Sequence, residues 1–331
     1  MSVSRNRVAS VVALAAASSL AVFGIATPAH AADKLTIAFV MGAEADPFFK
    51  AMKVGADAEA AAKGVNLVWQ GDPSVYSPAT QIPIADQVLA SKPSGLVLIP
   101  TDPTALQAVS DQAVAAGIPV VNVDTHVNDL SKVTSFITGD NADGGAKAAD
   151  ALATAIKYKK GKSYQVVVGL TSATATTNVA RLAGFSAEIA KKYPGIKIVD
   201  KAYSQSQPAV ANTNVSNWLT KYPKLSGIFA IDGTNAAGAA SALQAKGLVG
   251  KIALIGYDAY PGNVALIKKG VFTALIAQNP AAEAKQAIDD LVAVLTKDPA
   301  AASIKKNVVI PNVVLTAKTS ASDLVKYTYV A

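Results

Sequence analysis

The chain has no cysteine among its 331 residues and only two histidines, His30 and His126. Without thiols there are no disulfides, and zinc sites built from Cys and His are excluded. A Ser-His-Asp triad in the mature protein would have to use His126, in "VDTHVND", and no nucleophile elbow G-x-S-x-G accompanies it. There is no G-x-x-x-x-G-K-[ST] phosphate loop and no G-x-G-x-x-G opening a helix. No cofactor and no metal are expected. Carboxylates alone can catalyse glycoside hydrolysis, so a secreted glycosidase-like enzyme remains the rival reading at this point. Only 16% of residues are charged and 51% are hydrophobic, a globular rather than a disordered composition. No low-complexity stretch or coiled-coil heptad is present.

The N-terminus reads as a leader. Arg5 and Arg7 precede an apolar stretch from Val8 to Ala26, followed by "TPAHAADK" with Ala29 and Ala31 in an A-x-A pattern. That is the layout of a secretory signal peptide, with cleavage expected near Ala31. Ser10, Ser18 and Ser19 dilute the apolar stretch, which favours a leader over an anchor. No later segment reaches the ~18 apolar residues of a membrane span. With no cysteine near the cleavage site to carry a lipid, a freely soluble periplasmic protein is expected.

The formal charge is +7, of which Arg5 and Arg7 leave with the signal. The remaining lysines are scattered, and "KYKKGK" at 157–162 is the only dense cluster. It reads as a solvated helix end, and no nucleic-acid partner is expected.

Apolar runs of about five residues alternate with helical patterns. Strands are expected at Leu35–Val40, Val65–Trp69, Gly95–Ile99, Ile118–Val123, Val133–Ile137, Tyr164–Gly169, Ile196–Ala202, Gly227–Ile231, Ile252–Gly256 and Phe272–Ala277. Continuous apolar strands separated by helices imply parallel sheet covered on both faces. In the helix after Pro47, Phe49, Met52, Ala56 and Ala60 share one face, and Phe48 lies off it. Ten strands exceed one comfortable sheet. The segments 95–124 and 227–258 both read strand, polar turn, alanine-rich helix, glycine, strand, aspartate. This weak repeat predicts two similar α/β lobes.

Ligands of open parallel sheets bind outside the carboxyl ends of the strands. Asp46, Asp124, Asp232, Asp258 and Gln278 all follow expected strands, and Phe48 and Phe49 stand beside Asp46. Aromatic rings take the C–H faces of a sugar while carboxylates and amides take its hydroxyls. Asp46-Pro47 is also a good helix N-cap with Pro at N1. Asp140 and Asn141 in "TGDNADGG" read as structural, Trp69 as a strand-end core residue and His126 as a loop residue beside the cleft.

The stretches "IAFVMGAEADPFFKAMKVGA", "GLVLIPTDPTAL", "GIPVVNVDT", "FITGDNADGGAKAA", "RLAGF", "GIFAIDGTNAAGAASAL", "IGYDAYPGNVALIKKG" and "ALIAQNP" occur in this order. Together they resemble the periplasmic ribose- and galactose-type sugar-binding proteins of ABC importers, over about Lys34 to Ala317. The resemblance implies two Rossmann-like lobes with parallel sheets, three crossovers and a ligand cleft between the lobes. It implies an N-terminal lobe of 32–139 plus 279–311 and a C-terminal lobe of 140–278 plus 312–331. The implied ligand residues are Asp46, Phe48, Phe49, Asp124, Thr125, Arg181 (in "RLAGF"), Asp232, Asp258 and Gln278. Thr125 replaces an arginine common in the family, Asp46 and Asp232 replace frequent asparagines, and Ser206 or Gln207 falls where an aromatic often closes the pocket. These departures point away from ribose, toward another neutral monosaccharide or a polyol. The resemblance further implies a monomer without enzymatic activity, closing on its ligand and docking on an ABC permease driven by its ATPase. A chemoreceptor, or a role in binding a quorum-signal sugar, is compatible with the same resemblance.

Overall fold

The computed structural model describes residues 34–330, so the expected leader, 1–31, lies outside the described residues. Two six-stranded sheets form. The first holds β1 (Thr36–Ala43), β2 (Asn66–Asp72), β3 (Gly95–Leu98), β4 (Val120–Val123), β5 (Ser135–Gly139) and, from much later in the chain, β11 (Asn307–Ile310). The second holds β6 (Tyr164–Leu170), β7 (Ile196–Tyr203), β8 (Leu225–Ala230), β9 (Ala253–Tyr257), β10 (Ala274–Ala277) and β12 (Val313–Leu315). The orders are β11-β5-β4-β3-β1-β2 and β12-β10-β9-β8-β6-β7, so the two sheets repeat one arrangement. All pairs are parallel except β12, which runs antiparallel to β10.

Ten helices connect the strands: α1 (Pro47–Lys63), α2 (Pro78–Ala90), α3 (Gln107–Ala115), α4 (Asn141–Ala155), α5 (Thr176–Lys192), α6 (Pro208–Lys221), α7 (Gly233–Ala245), α8 (Pro261–Ile267), α9 (Pro280–Leu295) and α10 (Ala321–Tyr327). Alternate residues of β1 show how they cover the first sheet. Ala38 and Val40 pack with Ala85, Leu89, Val109 and Ala113 of α2 and α3. Ile37, Phe39 and Met41 face the opposite way, toward Met52 and Ala56 of α1 and Ile288 of α9. Burial on both faces is why the central strands read as unbroken apolar runs. The expected face of α1 holds, since Phe49, Met52, Ala56 and Ala60 are all buried.

The chain passes between the sheets three times: after β5, after β10, and between β11 and β12. At the first passage Asp140 caps α4 by accepting from the Asp143 N–H at 3.1 Å. Asn312, on the third passage, donates through Nδ2 to the Asp140 carbonyl at 2.8 Å and to the Tyr257 hydroxyl at 2.7 Å. Trp69 is half-buried and stacks on Phe39 with centroids 5.0 Å apart, as a strand-end core residue does. The two short strands β11 and β12 are absent from the ten expected. Each has three or four residues separated only by Pro311 and Asn312, too short for a pattern to register. Among the described residues, no helix is long and apolar enough to cross a membrane.

Candidate functional site

The carboxyl ends of both sheets converge on one cavity. Its lining includes Asp46, Phe48, Phe49 and Asp124 from the first sheet's loops, and Arg181, Asp232, Asp258 and Gln278 from the second side. Tyr76, Thr171, Thr177, Asn178, Ser206 and Tyr260 complete it.

Asp46 follows β1 and caps α1, its Oδ1 accepting from the Phe48 N–H at 2.9 Å with Pro47 in the first turn. The same oxygen accepts from the Tyr260 hydroxyl, which arrives from the loop after β9 of the other sheet. Burial pushes the Asp46 pKa up to about 7, against the lowering by those two hydrogen bonds and with further raising by Asp258 and Asp232.

Asp124 follows β4. Its N–H donates to the Ile137 carbonyl at 2.8 Å and its own carbonyl accepts from Thr138 Oγ1 at 2.8 Å. The carboxylate oxygen Oδ1 is buried and has no hydrogen-bond partner within the protein, with Arg181 Nη2 4.0 Å away. Burial raises this carboxyl also to about 7, Arg181 offsetting part of the rise. Asp258 follows β9. Its Oδ2 accepts from the Gly233 N–H at 2.9 Å, and its Oδ1 from Gln278 Nε2 at 2.7 Å and the Tyr329 hydroxyl at 3.0 Å. Burial raises the Asp258 pKa despite Arg181 and these donors.

Arg181, on α5, is 3% exposed. Its Nε donates to Asn141 Oδ1 at 2.7 Å and its Nη1 to the Ile231 carbonyl at 3.1 Å, and the guanidinium lies 3.8 Å over the Tyr257 ring. Burial opposes its charge, but Tyr257 and the carboxylates of Asp258, Asp124 and Asp232 outweigh that and hold its pKa above the ordinary range. The guanidinium is therefore a fixed cation. Asp232 is engaged on both oxygens: Oδ1 accepts from the Asn235 N–H and Thr234 Oγ1, Oδ2 from Thr171 Oγ1 and Asn235 Nδ2, all within 2.6–2.8 Å. It caps α7 while facing the cavity.

Two expectations need correction. Thr125 does not line the cavity: it is 1% exposed and donates its hydroxyl to the Pro100 carbonyl at 2.8 Å. The left-handed turn at Asp124 sends the next side chain back toward β3. Phe48 does not lie outside the core. It is 6% exposed, edge-on to Phe49 at 5.4 Å and 6.2 Å from the Tyr329 ring, because the end of the chain covers the face of α1 that the helical period leaves open. Ser206 reaches the cavity, whereas Gln207 donates through Nε2 to the Ser74 carbonyl at 2.8 Å, a bond between the lobes. His126 sits in a loop, its Nδ1 2.8 Å from the Val127 carbonyl, and lines a neighbouring cavity that shares Asp124.

Tyr76 and Tyr260 were not in the expected set. Each stands next to a helix start containing Ser77-Pro78 or Pro261, the same context that singles out Asp46-Pro47, and that signal could have found them. Among the described residues, no group of His, Cys, Asp and Glu is placed to hold a metal ion.

A family model described as a periplasmic binding protein domain matches residues 37–299. The chain is 31% identical over 274 residues to a D-ribose/D-allose-binding protein of Pseudomonas aeruginosa, spanning 81% of this chain and 83% of that one. It is 31% identical over 257 residues to the ribose import binding protein RbsB of Escherichia coli, spanning 76% and 82%. Among solved structures, an ABC transporter solute-binding protein from Agrobacterium vitis bound with α-D-tagatopyranose superposes with a TM-score of 0.84 at 30% identity, covering 90% of this chain and 100% of that one. A carbohydrate transporter solute-binding protein from Agrobacterium radiobacter in complex with D-arabinose gives 0.83 at 27% identity, covering 89% and 99%.

Proposed function

Because the chain belongs to the periplasmic binding protein family, we propose that it is an exported solute-binding protein that captures a neutral sugar or sugar alcohol between its lobes and delivers it to an ABC permease. The observation that carries the reading is the convergence of four aspartates, one fixed guanidinium and four aromatic rings on one cavity between the sheets. Carboxylates in excess repel anions and accept from hydroxyls, and charge-assisted hydrogen bonds are the strong ones. Relatives named for ribose and allose, and neighbours holding tagatopyranose and arabinose, support a carbohydrate ligand.

Hydrogen bonds that join the lobes, Tyr260 to Asp46, Gln207 to Ser74 and the His126 N–H to Thr176 Oγ1 at 3.3 Å, fit a protein that closes on its ligand. Asp46, Phe48, Phe49, Asp124, Arg181, Asp232, Asp258 and Gln278 are the proposed contacts, and Thr125 is withdrawn. The ligand leaves chemically unchanged, and the site lies in the periplasm after removal of the leader near Ala31.

A thermal-shift screen over pentoses, hexoses and polyols tests this. Ligand at 100 times its Kd adds about 2.7 kcal/mol to stability. Absence of any shift across neutral carbohydrates and polyols defeats the reading. Recovery of a chemically altered ligand after incubation favours the enzyme instead.

A further inference from the structure

Tyr76 and Tyr260 face the cavity from opposite lobes, and both are buried. Each ring rests on a glycine. A Cβ built on Gly42 would stand 2.6 Å from Tyr76 Cδ2, and one on Gly233 would fall within the Tyr260 ring. Hydrogen is the only side chain that leaves these seats free. A ring lying on backbone has little room to swing, and the Tyr260 hydroxyl is further tied to Asp46. The two tyrosines are therefore walls. The space they leave is a cavity of about 40 Å³, room for about three water molecules. Parting Asp46 from Tyr260 lengthens that space along the line between the lobes. A pyranose ring with substituents all round needs breadth as well.

The hydrogen-bonding groups of the cleft are lopsided in the same direction. Asp124 Oδ1 and Gln278 Oε1 are buried acceptors with no partner in the protein. Strong donors are few. Arg181 commits Nε to Asn141 and Nη1 to Ile231, and the Thr125 hydroxyl is committed to Pro100. A pyranose brings a ring oxygen that only accepts. Every oxygen of an open-chain polyol can donate.

We propose that the cleft takes an open-chain polyol of four or five carbons, and that Tyr76 and Tyr260 set this limit. The proposal rests on the solute-binding reading above and narrows its ligand class.

Calorimetric titration of the mature chain tests it, with erythritol, threitol, arabitol, xylitol and ribitol set against D-ribose, D-arabinose, D-allose, D-glucose and D-galactose. At least one of the polyols should bind about 100-fold more tightly than every sugar. A sugar that binds as tightly as the best polyol overturns this proposal and leaves the solute-binding reading intact. No binding by any of the ten overturns both. Tyr76→Ala should shift the sugar-to-polyol affinity ratio toward sugars by about tenfold or more. Tyr76→Leu, which keeps more of the packing, should shift it the same way if Tyr76→Ala fails to fold. A folded variant with an unchanged ratio overturns the role of the tyrosine.

Discussion

Asp124 and Asp258 are the same residue in two sheets. Each follows the third strand in its sheet's order, β4 or β9, and each donates its N–H to a carbonyl of the adjoining strand, Ile137 or Ile276, at 2.8 Å. Each holds a left-handed backbone, with φ of 59° and 65°. Aspartate tolerates that region better than most residues, yet such conformations persist only where the surrounding structure imposes them, and they gather at functional sites. The turn lifts each carboxylate off the strand axis into the space between the sheets.

Asparagine also tolerates the left-handed region, so Asp124→Asn removes charge without changing the turn. Affinity for the ligand found in screening should fall about 100-fold, the loss expected when charge-assisted hydrogen bonds to hydroxyls become neutral ones. The unliganded protein should melt no lower than wild type, because a buried carboxylate oxygen without a partner is replaced by a neutral amide. Unaltered affinity by calorimetry would remove Asp124 from the site.

The raised carboxyls predict how stability responds to pH. Asp46 and Asp124 titrate near 7 in the folded protein, and Asp258 and the fully buried Glu283 are also shifted upward, burial being the main cause in each. Ordinary carboxyls titrate at about 4. The folded state therefore holds protons that the unfolded chain releases, and stability is lost as pH rises from about 4 through 7. Carboxylates lowered by local hydrogen bonds, such as Asp72 and Asp129, act only below that window. The unliganded melting temperature should fall between pH 5 and pH 8, and Asp46→Asn should flatten the fall. Hydroxyl donors favour the ionised acids, so ligand binding near pH 6.5 should release protons, seen as a buffer-dependent heat in calorimetry. A melting temperature that climbs across this range contradicts the assignment.

The paired lobes, the parallel sheets and most of the cleft were legible because strand ends announce themselves: an apolar run stops and an aspartate follows. Thr125 misled because adjacency in sequence stands in for adjacency in space only along a straight backbone, and the chain turns sharply at Asp124. Tyr329 was invisible for a different reason. It donates to Asp258 and accepts from the Gln278 N–H at 3.1 Å, yet it lies two residues from the chain's end, beyond the last resembling motif, where no periodicity marks it. Tyr76 and Tyr260 were hidden because aromatic residues in loops carry no signal of which way they point.

The burial of both phenylalanines changes what their loss should do. Phe48 and Phe49 are 6% and 4% exposed, within one apolar cluster that also holds Met52, Tyr260 and Tyr329. Phe48→Ala and Phe49→Ala should each destabilise the unliganded fold by about 3–5 kcal/mol, the range for truncating a buried Phe. Both should also weaken binding, since both rings line the cavity. Urea denaturation checks the first part. A Phe48→Ala variant as stable as wild type would mean that Tyr329 collapses into the gap and that the end of the chain is a loose cover.

Thr125 offers a sharper test, because its sequence position and its placement give opposite answers. From its neighbour Asp124, it should face the ligand, and Thr125→Arg should change selectivity. In the fold its side chain is enclosed, with the hydroxyl on the Pro100 carbonyl. An arginine there buries a charge, and no carboxylate is paired with the threonine it replaces, a combination among the most damaging a point substitution can introduce. Thr125→Arg should therefore fail to fold or melt far below wild type. Thr125→Val keeps the shape and removes one hydrogen bond, at a cost of about 1 kcal/mol plus the penalty on the orphaned carbonyl. Its affinity for ligand should stay within about threefold of wild type, since 0.6 kcal/mol separates values roughly that far apart. A stable Thr125→Arg protein with altered sugar preference would return this residue to the cleft and require the turn at Asp124 to be redrawn.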